Sequence, residues 1–465
     1  MRWVSLFLIF LPLHIFGQDT VSQFTSDKIL TVGSITLVGN KITHDKIILR
    51  EIEFSTGEKM TTGELNLLIE KSRQNLINRS LFNFVTFTKK ENNGTVDIEV
   101  AVVERWYIWP IPIINTAGRN LNAWWETKDF GRLNYGVDLK VDNFRGRMEK
   151  LNIIVQGGFD QTLAAKWTIP YLTKKQFLGI GIGGGYQRNR EVIVATVDNK
   201  PQYYESITGY AQQRGFGIID FTLRPKFNFL HTLTLGFDHY SFQDTLLQIN
   251  PDYAFDTTKY NFITLGYLYK HDFRDYKPYP LTGYYFDVGI KKQGLGLTGN
   301  DIDIWSFSFV FDQYIHIYKR WYFAYSVNTL LTSAGKKPYF LTPAFGYIGM
   351  EIRGYELFII NGQNFGLFKS NFKFEIIPKT VKRIKRIKSE KFGKVFYALY
   401  ANLFFDLGYA YDDEKYGLNP LANQLLWGTG IGIDFITYYD LVIRFEYTIN
   451  KQGDHGFFLN LVAPI

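Results

Sequence analysis

ANLFFDLGYAYD, residues 401–412, alternates without a break. Leu403, Phe405, Leu407, Tyr409 and Tyr411 fall on one face, while Asn402, Phe404, Asp406, Gly408, Ala410 and Asp412 fall on the other. Successive side chains of a strand point to opposite faces, so one face here suits lipid and the other a polar lumen. LVIRFEYTIN, 441–450, repeats the pattern, with Leu441, Ile443, Phe445, Tyr447 and Ile449 opposed to Arg444, Glu446, Thr448 and Asn450. Alternation of this kind dominates from about Arg119 to Ile465. Between turn clusters it marks sixteen segments, the first near 119–127 and the last near 456–465. An even number closes an antiparallel barrel with both ends on one side, and pattern alone also admits fourteen or eighteen strands.

Composition agrees with a membrane strand protein. Aromatic residues make up 17 % of the 465, including 41 Phe and 31 Tyr, as where rings line two membrane interfaces. No stretch holds 18 uninterrupted apolar residues, so any span must be made of strands, which pair their backbone groups with one another where lipid offers no partner. The opening MRWVSLFLIFLPLHIFGQDT has a basic start at Arg2, a short apolar run to Phe16 and the small Gly17. It is the pattern of a secretory signal over residues 1–17, so an exported protein is expected.

Residues 27–104 have a different texture. KILTVGSITLVGN alternates as a strand and ends in the Gly39-Asn40 turn. THDKIILREI has helical spacing behind a Thr43 cap, and TTGELNLLIEKSRQNLINRS is a second helix capped by Thr62. Two strands joined at Asn92-Asn93-Gly94 complete a small α+β domain, and 105–118 reads as a linker into a barrel over 119–465.

Catalytic signatures are missing: there is no G-x-S-x-G, P-loop or H-E-x-x-H, and the seven His are scattered. With no Cys, a disulfide framework and a thiolate metal site are excluded, and neither a metal nor a cofactor is expected. The net charge of +8 is spread along the chain and gives no reason to expect nucleic acid. One segment stands apart. PKTVKRIKRIKSEKFGK, 378–394, gathers Lys379, Lys382, Arg383, Lys385, Arg386, Lys388, Lys391 and Lys394 against the single acid Glu390. By strand parity it is a turn on the same side as the N-terminal domain, either a solvated charged turn or a short basic helix for lipid phosphates or an acidic partner.

The strand-helix-helix-strand-strand order of 27–104, with Gly39 and Asn40, Gly57, Leu81-Phe82, Val85 and the closing Val103-Glu104, resembles a POTRA domain of the BamA and TamA type of outer-membrane assembly proteins. One such module is seen, where several relatives carry more. HDFRDYKPYPLTGYYFDVGI, with Asp272, Arg274, Asp275, Pro280 and Gly283, resembles a hairpin of the same bacterial surface antigen barrels, and Asn143 to Arg147 resembles their early hairpin. The final FFLNLVAPI resembles their C-terminal strand, although Ile465 stands where an aromatic is usual. IRGYE, 352–356, in the long connection 334–363, resembles the (Val/Ile)-Arg-Gly-(Phe/Tyr) tip of their sixth extracellular loop, which folds back into the lumen. The resemblance implies a latch in which Arg353, Gly354 and Tyr355 enter the barrel and Arg353 meets Asp406 on the inner wall.

The expected protein is therefore a POTRA domain in the periplasm followed by an outer-membrane barrel. Without chemical catalysis it would insert other barrels or pass polypeptides across the membrane. The implied partners are unfolded outer-membrane or secreted polypeptides, the lipid bilayer and periplasmic or lipoprotein subunits. An accessory barrel that docks partners through its POTRA domain or basic turn is the alternative.

Overall fold

The computed structural model describes residues 28–116, 130–255, 257–298, 302–335, 337–342, 344–346, 350–412 and 419–461. The signal segment 1–17, the strand expected near 119–127 and the terminal Ile465 lie outside the described residues.

The N-terminal module is built on four strands: β1 (Ile29–Val38), β2 (Lys59–Thr61), β3 (Phe82–Asn92) and β4 (Thr95–Glu104), in the order β2-β1-β4-β3. β1 runs parallel to β4, and the other pairs are antiparallel. Helices α1 (Asp45–Leu49) and α2 (Thr62–Ile77) bury Ile47, Ile48, Leu65 and Leu76 in one core with Leu30, Val32, Val96, Ile98 and Val100. Each fully buried aliphatic side chain contributes roughly 1.5–3 kcal/mol.

Two helix caps depart from the sequence reading. Thr61, not Thr62, caps α2: its hydroxyl accepts from Glu64 N, and the Glu64 carboxylate accepts from Thr61 N. Glu64 stands three residues after Thr61, the spacing a reciprocal capping box requires. Thr62 Oγ1 donates to Lys28 O. At α1 the cap position belongs to His44, while Thr43 turns inward to donate through its N (2.7 Å) and its hydroxyl (2.8 Å) to Glu104.

Sixteen antiparallel strands come next: β5 (Ile108–Thr116), β6 (Leu133–Phe144), β7 (Glu149–Gly158), β8 (Gln161–Ile169), β9 (Leu178–Asn189), β12 (Gln212–Leu223), β13 (Phe229–Phe242), β14 (Lys259–Asp272), β15 (Gly283–Gln293), β16 (Ile304–Tyr318), β17 (Trp321–Thr332), β20 (Asn364–Arg383), β21 (Lys394–Tyr411), β22 (Leu425–Thr437), β23 (Leu441–Asn450) and β24 (His455–Leu461). Each pairs with its neighbour in the sheet, from β5 to β24. The outward face of β21 exposes Leu403, Phe405 and Tyr409, whereas Phe404, Asp406 and Ala410 are buried inside. At the end far from the module, hairpin β10 (Glu191–Val197) and β11 (Lys200–Glu205) leans on β18 (Ala344–Phe345) and β19 (Ile360–Asn361) of the long 333–363 loop. Its tip residue Asn199 accepts from Ile359 N (2.8 Å) and from Leu421 N (3.1 Å), pinning two loops together.

The first barrel strand corrects the domain boundary. β5 occupies 108–116, inside the segment 105–118 read as a linker, because Pro110 and Pro112 make that stretch look unlike a strand. Asp142 N donates to Tyr107 O, so in the continuing register Trp109, Ile111 and Ile113 turn their backbone groups to β6. Pro110 and Pro112 therefore face the outer edge of β5, where a missing N–H costs no bond to β6. Among the described residues no ladder joins β5 to β24, so these two strands form the seam of the barrel.

The turn at Gly39 and the prolines of β5 can each be probed by substitution. Gly39 has φ +93°, and a Cβ there would lie 2.1 Å from Val102 O, so Gly39→Ala should cost the module more than about 1 kcal/mol. Limited proteolysis should then cut the module faster while the barrel persists. Pro110→Thr with Pro112→Thr returns two donors to the seam edge, each worth about 0.5–1.5 kcal/mol if paired. The temperature at which the barrel loses its compact gel mobility should rise. An unchanged or lower value would mean that this edge does not limit closure.

Candidate functional site

The 333–363 loop enters the lumen at Ile352-Arg353-Gly354-Tyr355, where Ile352, Arg353 and Tyr355 are all buried. Gly354, at φ +93°, supplies the reversal. Arg353 is held on every side. Its Nε donates to Asp406 Oδ2 (2.9 Å) and Nη2 to Asp406 Oδ1 (2.5 Å), the two-point grip of a guanidinium on a carboxylate. Arg353 N donates to the same Oδ2 (3.1 Å), Nη1 to Asn371 Oδ1 (2.8 Å) and to Glu446 Oε1 (3.3 Å), and Nη2 to Ser370 O (3.2 Å). The Phe404 ring lies 3.9 Å under the guanidinium carbon.

Strands β20 to β23 position these partners. Asn371, Phe404, Asp406 and Glu446 stand on inward positions of three strands, and the fourth, β22, contributes an absence of bulk. A Cβ on Gly428 would lie 1.8 Å from Arg353 O, so only glycine lets the loop backbone approach. Asn450 Nδ2 donates to Gly354 O (2.8 Å) and Tyr355 OH to Gln452 Oε1 (2.5 Å), fastening the tip to β23 and the turn after it.

A second segment reaches the same wall from the module end. In the turn 273–282, Asp272 accepts from Arg274 (2.9 and 3.0 Å) and pairs with Lys277 (2.8 Å). Asp275 Oδ1 accepts from Tyr276 N (2.8 Å) and Leu281 N (3.1 Å), Pro280 is buried, and Gly283 begins β15 at positive φ. The turn carries Tyr279 across the lumen, where its OH donates to Asp434 Oδ2 (2.8 Å). Asp434 is gripped by Arg444 (2.7 and 3.1 Å), whose Nε lies 3.9 Å from Glu446. An unbroken row of polar contacts thus joins the loop tip to the opposite turn.

The third element is the junction with the module. Arg224, just after β12, holds Glu51 of the module at 2.5 and 2.8 Å, with Arg79 3.6 Å away. Burial alone would raise the Glu51 carboxyl, but Arg79 and Arg224 outweigh it and hold the group at about 2. Arg105 grips Asp440 at 2.5 and 2.9 Å, and Tyr276 OH donates to the same carboxylate. Burial opposes ionisation of Asp440 as well, and the Arg105 guanidinium holds it below the usual carboxylate range. Asn143 of the early hairpin donates to Thr43 Oγ1 (2.8 Å), while Arg145 turns back to Glu149 (2.7 Å).

The residues singled out in the sequence thus separate into groups. Arg353, Gly354, Tyr355 and Asp406 converge in the lumen, and the 272–283 hairpin reaches the adjoining wall. Gly39, Asn40, Gly57 and Phe82 serve the module's own fold: Asn40 Nδ2 donates to Thr43 O (3.1 Å) and Asp45 Oδ1 (2.6 Å), Gly57 N donates to Val32 O (2.8 Å), and Phe82 is in the core. The basic run is not a basic helix. β20 continues through Lys382 to Arg383, Lys385 and Arg386 lie in the turn, and helix is confined to Glu390–Gly393. Extension of the β20–β21 pairing to Arg383↔Lys394 leaves only the tip free to turn. Asn371, Gly428 and Tyr279 escaped the sequence reading, which placed Glu446 on the polar face of its strand without a partner. Gly428, Gly430 and Gly432 on alternate positions were the available sign of a close approach to the inner face.

Comparison with known proteins gives two family matches. Residues 143–461 match the Omp85 superfamily domain, and residues 30–105 match POTRA, described as a surface antigen variable number repeat. Among solved structures the chain resembles BamA from Haemophilus ducreyi lacking POTRA domains 1-3, at 15 % identity and TM-score 0.51 over 93 % of this chain and 83 % of that one. It also resembles CdiB from Escherichia coli, at 13 % identity and TM-score 0.54 over 93 % of this chain and 74 % of that one. At such identities the likeness shows the fold alone. A search of curated proteins finds no match.

Arg353→Ala and Asp406→Ala should each cost about 3–5 kcal/mol where the survivor stays buried and unpaired, and the double variant much less than their sum. Heat-modifiability of the barrel measures all three, and additive losses would contradict the pairing. The module junction should depend on pH. Because the Glu51 carboxyl is depressed when folded, its contribution is complete above the ordinary 4.5 and is lost as pH falls toward about 2. Amide exchange of α1 should accelerate over that window, and Glu51→Gln should remove the part of the response due to this group.

Proposed function

The chain belongs to the Omp85 superfamily, and from that premise we propose that it sits in a bacterial outer membrane with its POTRA module in the periplasm. There it assists the insertion of other outer-membrane barrels or the passage of polypeptides. The observation that carries this reading is the seam. Among the described residues β5 and β24 are each paired on one side only, so they offer backbone groups that an incoming strand can pair with.

The work needs no chemical step. An extended client is first held by the module, whose sheet ends in the long edge strand β3, and then pairs at the seam. The free energy comes from the client, as its backbone groups pair and its apolar face enters lipid. The filled lumen favours this lateral route over a path through the barrel. Arg353 and the 273–282 turn occupy the lumen from opposite ends, and a polypeptide taking that path would have to displace both. In this reading Arg353, Gly354, Tyr355 and Asp406 form a latch that keeps the barrel wall in shape while the seam is worked. An accessory barrel that docks periplasmic or lipoprotein subunits is the second reading, favoured by the exposed cations of the 382–388 turn.

Depletion of the protein in its own host, followed by quantitative outer-membrane proteomics, tests the proposal. Loss of many unrelated barrels is expected for an assembly factor, and loss of one surface protein for a dedicated translocator. An unchanged outer-membrane proteome would leave the accessory reading in place of both.

A further inference from the structure

The turn between β20 and β21 has no part in the lumen or the seam ladder, and its composition is unusual for a surface turn. Lys382, Arg383, Lys385, Arg386 and Lys388 are all exposed, and among the described residues none makes an ion pair. Apolar side chains interleave with them: Val381 is 50 % exposed, Ile384 42 %, Ile387 36 % and Phe392 36 %. A purely solvated turn has no use for four exposed apolar groups in twelve residues. The tip is nonetheless ordered by its backbone, with Ile384 N donating to Gly393 O (2.7 Å) and Gly393 N to Ser389 O (2.7 Å).

Its surroundings fix its depth. Phe392 packs 6.1 Å from the ring of Trp106 and 6.2 Å from Tyr439, and Tyr439 lies 4.9 Å from Trp109. Tryptophan and tyrosine gather where a barrel wall passes from hydrocarbon to headgroups, so this cluster marks the interface at the module end. Above it, the outward faces of β20 and β21 carry Phe372, Phe374, Leu403 and Phe405. The Lys382 ammonium lies 5.4 Å from the centre of the outward Tyr397 ring.

We propose that the 381–392 turn is a binding site for anionic glycerophospholipid in the periplasmic leaflet. The five cations contact headgroup phosphates, and Ile384, Ile387 and Phe392 enter the headgroup–acyl boundary. The site rests on the outer-membrane reading above, since its depth is measured from the membrane wall. Cations near an anionic bilayer surface each strengthen attachment about fivefold, and the attraction weakens with salt. An acidic polypeptide could use the same cations, but it gives no role to the exposed apolar groups at interface depth. Next to the seam, such a site would hold a shell of anionic lipid against the barrel where a client strand must enter.

The test uses the full protein in nanodiscs of neutral phosphatidylcholine or of an equal mixture with phosphatidylglycerol, followed by amide exchange of residues 381–391. Exchange should slow severalfold in the anionic discs, and high salt should remove the difference. The Lys382→Gln, Arg383→Gln, Lys385→Gln, Arg386→Gln and Lys388→Gln combination should remove it too. The lipid dependence of the unaltered protein is decisive even if that variant folds poorly. Equal exchange in both discs overturns the proposal. So does protection by a soluble polyglutamate in neutral discs without protection by the anionic lipid, which would assign the turn to an acidic polypeptide. Failure of the chain to insert as a folded barrel would overturn the membrane reading and the lipid site together.

Discussion

A guanidinium inside a barrel sets the terms for everything around it. Removing Arg353 from bulk water is costly, and the cost is offset only where carboxylates, amides and a ring face surround the group. Asp406, Glu446, Asn371 and Phe404 do so from three strands, and Gly428 on a fourth gives up its side chain to admit the loop backbone. These demands fall on the inward positions of β20 to β23, so one arc of the wall is committed to a single register. A slip of one residue in any of those strands would turn its partner outward to lipid.

The same arc serves the other end of the molecule. Glu446 leads through Arg444 to Asp434 and the lumen-crossing Tyr279, and the turn that carries Tyr279 also sends Tyr276 to Asp440, which Arg105 of the module grips. The contacts are contiguous, but contiguity alone is not coupling. Their direct consequence is mechanical: the loop, the wall, the turn and the module share partners, so displacement of one leaves charged groups of another unpaired. These shared partners are drawn mainly from β20 to β23.

Much of this was legible in the sequence, for a definable reason. Lipid on one face and a polar lumen on the other impose period two, and ANLFFDLGYAYD and LVIRFEYTIN display it plainly. The period also placed Asp406 inward, but it could not say what Asp406 meets; only the resemblance of IRGYE to a family loop tip suggested Arg353. Glu446 was visible as an inward polar residue without a partner, and Asn371 was not singled out at all, since contact across four strands leaves no mark in local spacing. Thr61 and Thr62 are chemically equal, and the cap went to the one with Glu64 in register. β5 was hidden because proline argues against a strand unless the free edge is known, and an edge is a property of the closed sheet rather than of the segment.

That edge gives the seam a definite mechanics. Arg105 stands just before β5 and Asp440 just before β23, so their ion pair ties the base of the first strand close to the base of the last hairpin. Above this tie, Pro110 and Pro112 withhold the donors that a closing ladder would use, while their carbonyls still face outward. Closing β5 onto an opposite edge would therefore gain fewest bonds at Pro110 and Pro112, a short way above the base, where the Arg105–Asp440 pair holds the strand's root in place. In the proposed route, an incoming strand that brings its own N–H groups would find acceptors there without having to displace protein donors. A seam pinned at its foot and donor-poor above it gains little from full closure, and that is the property the proposed pairing with a client strand would draw on.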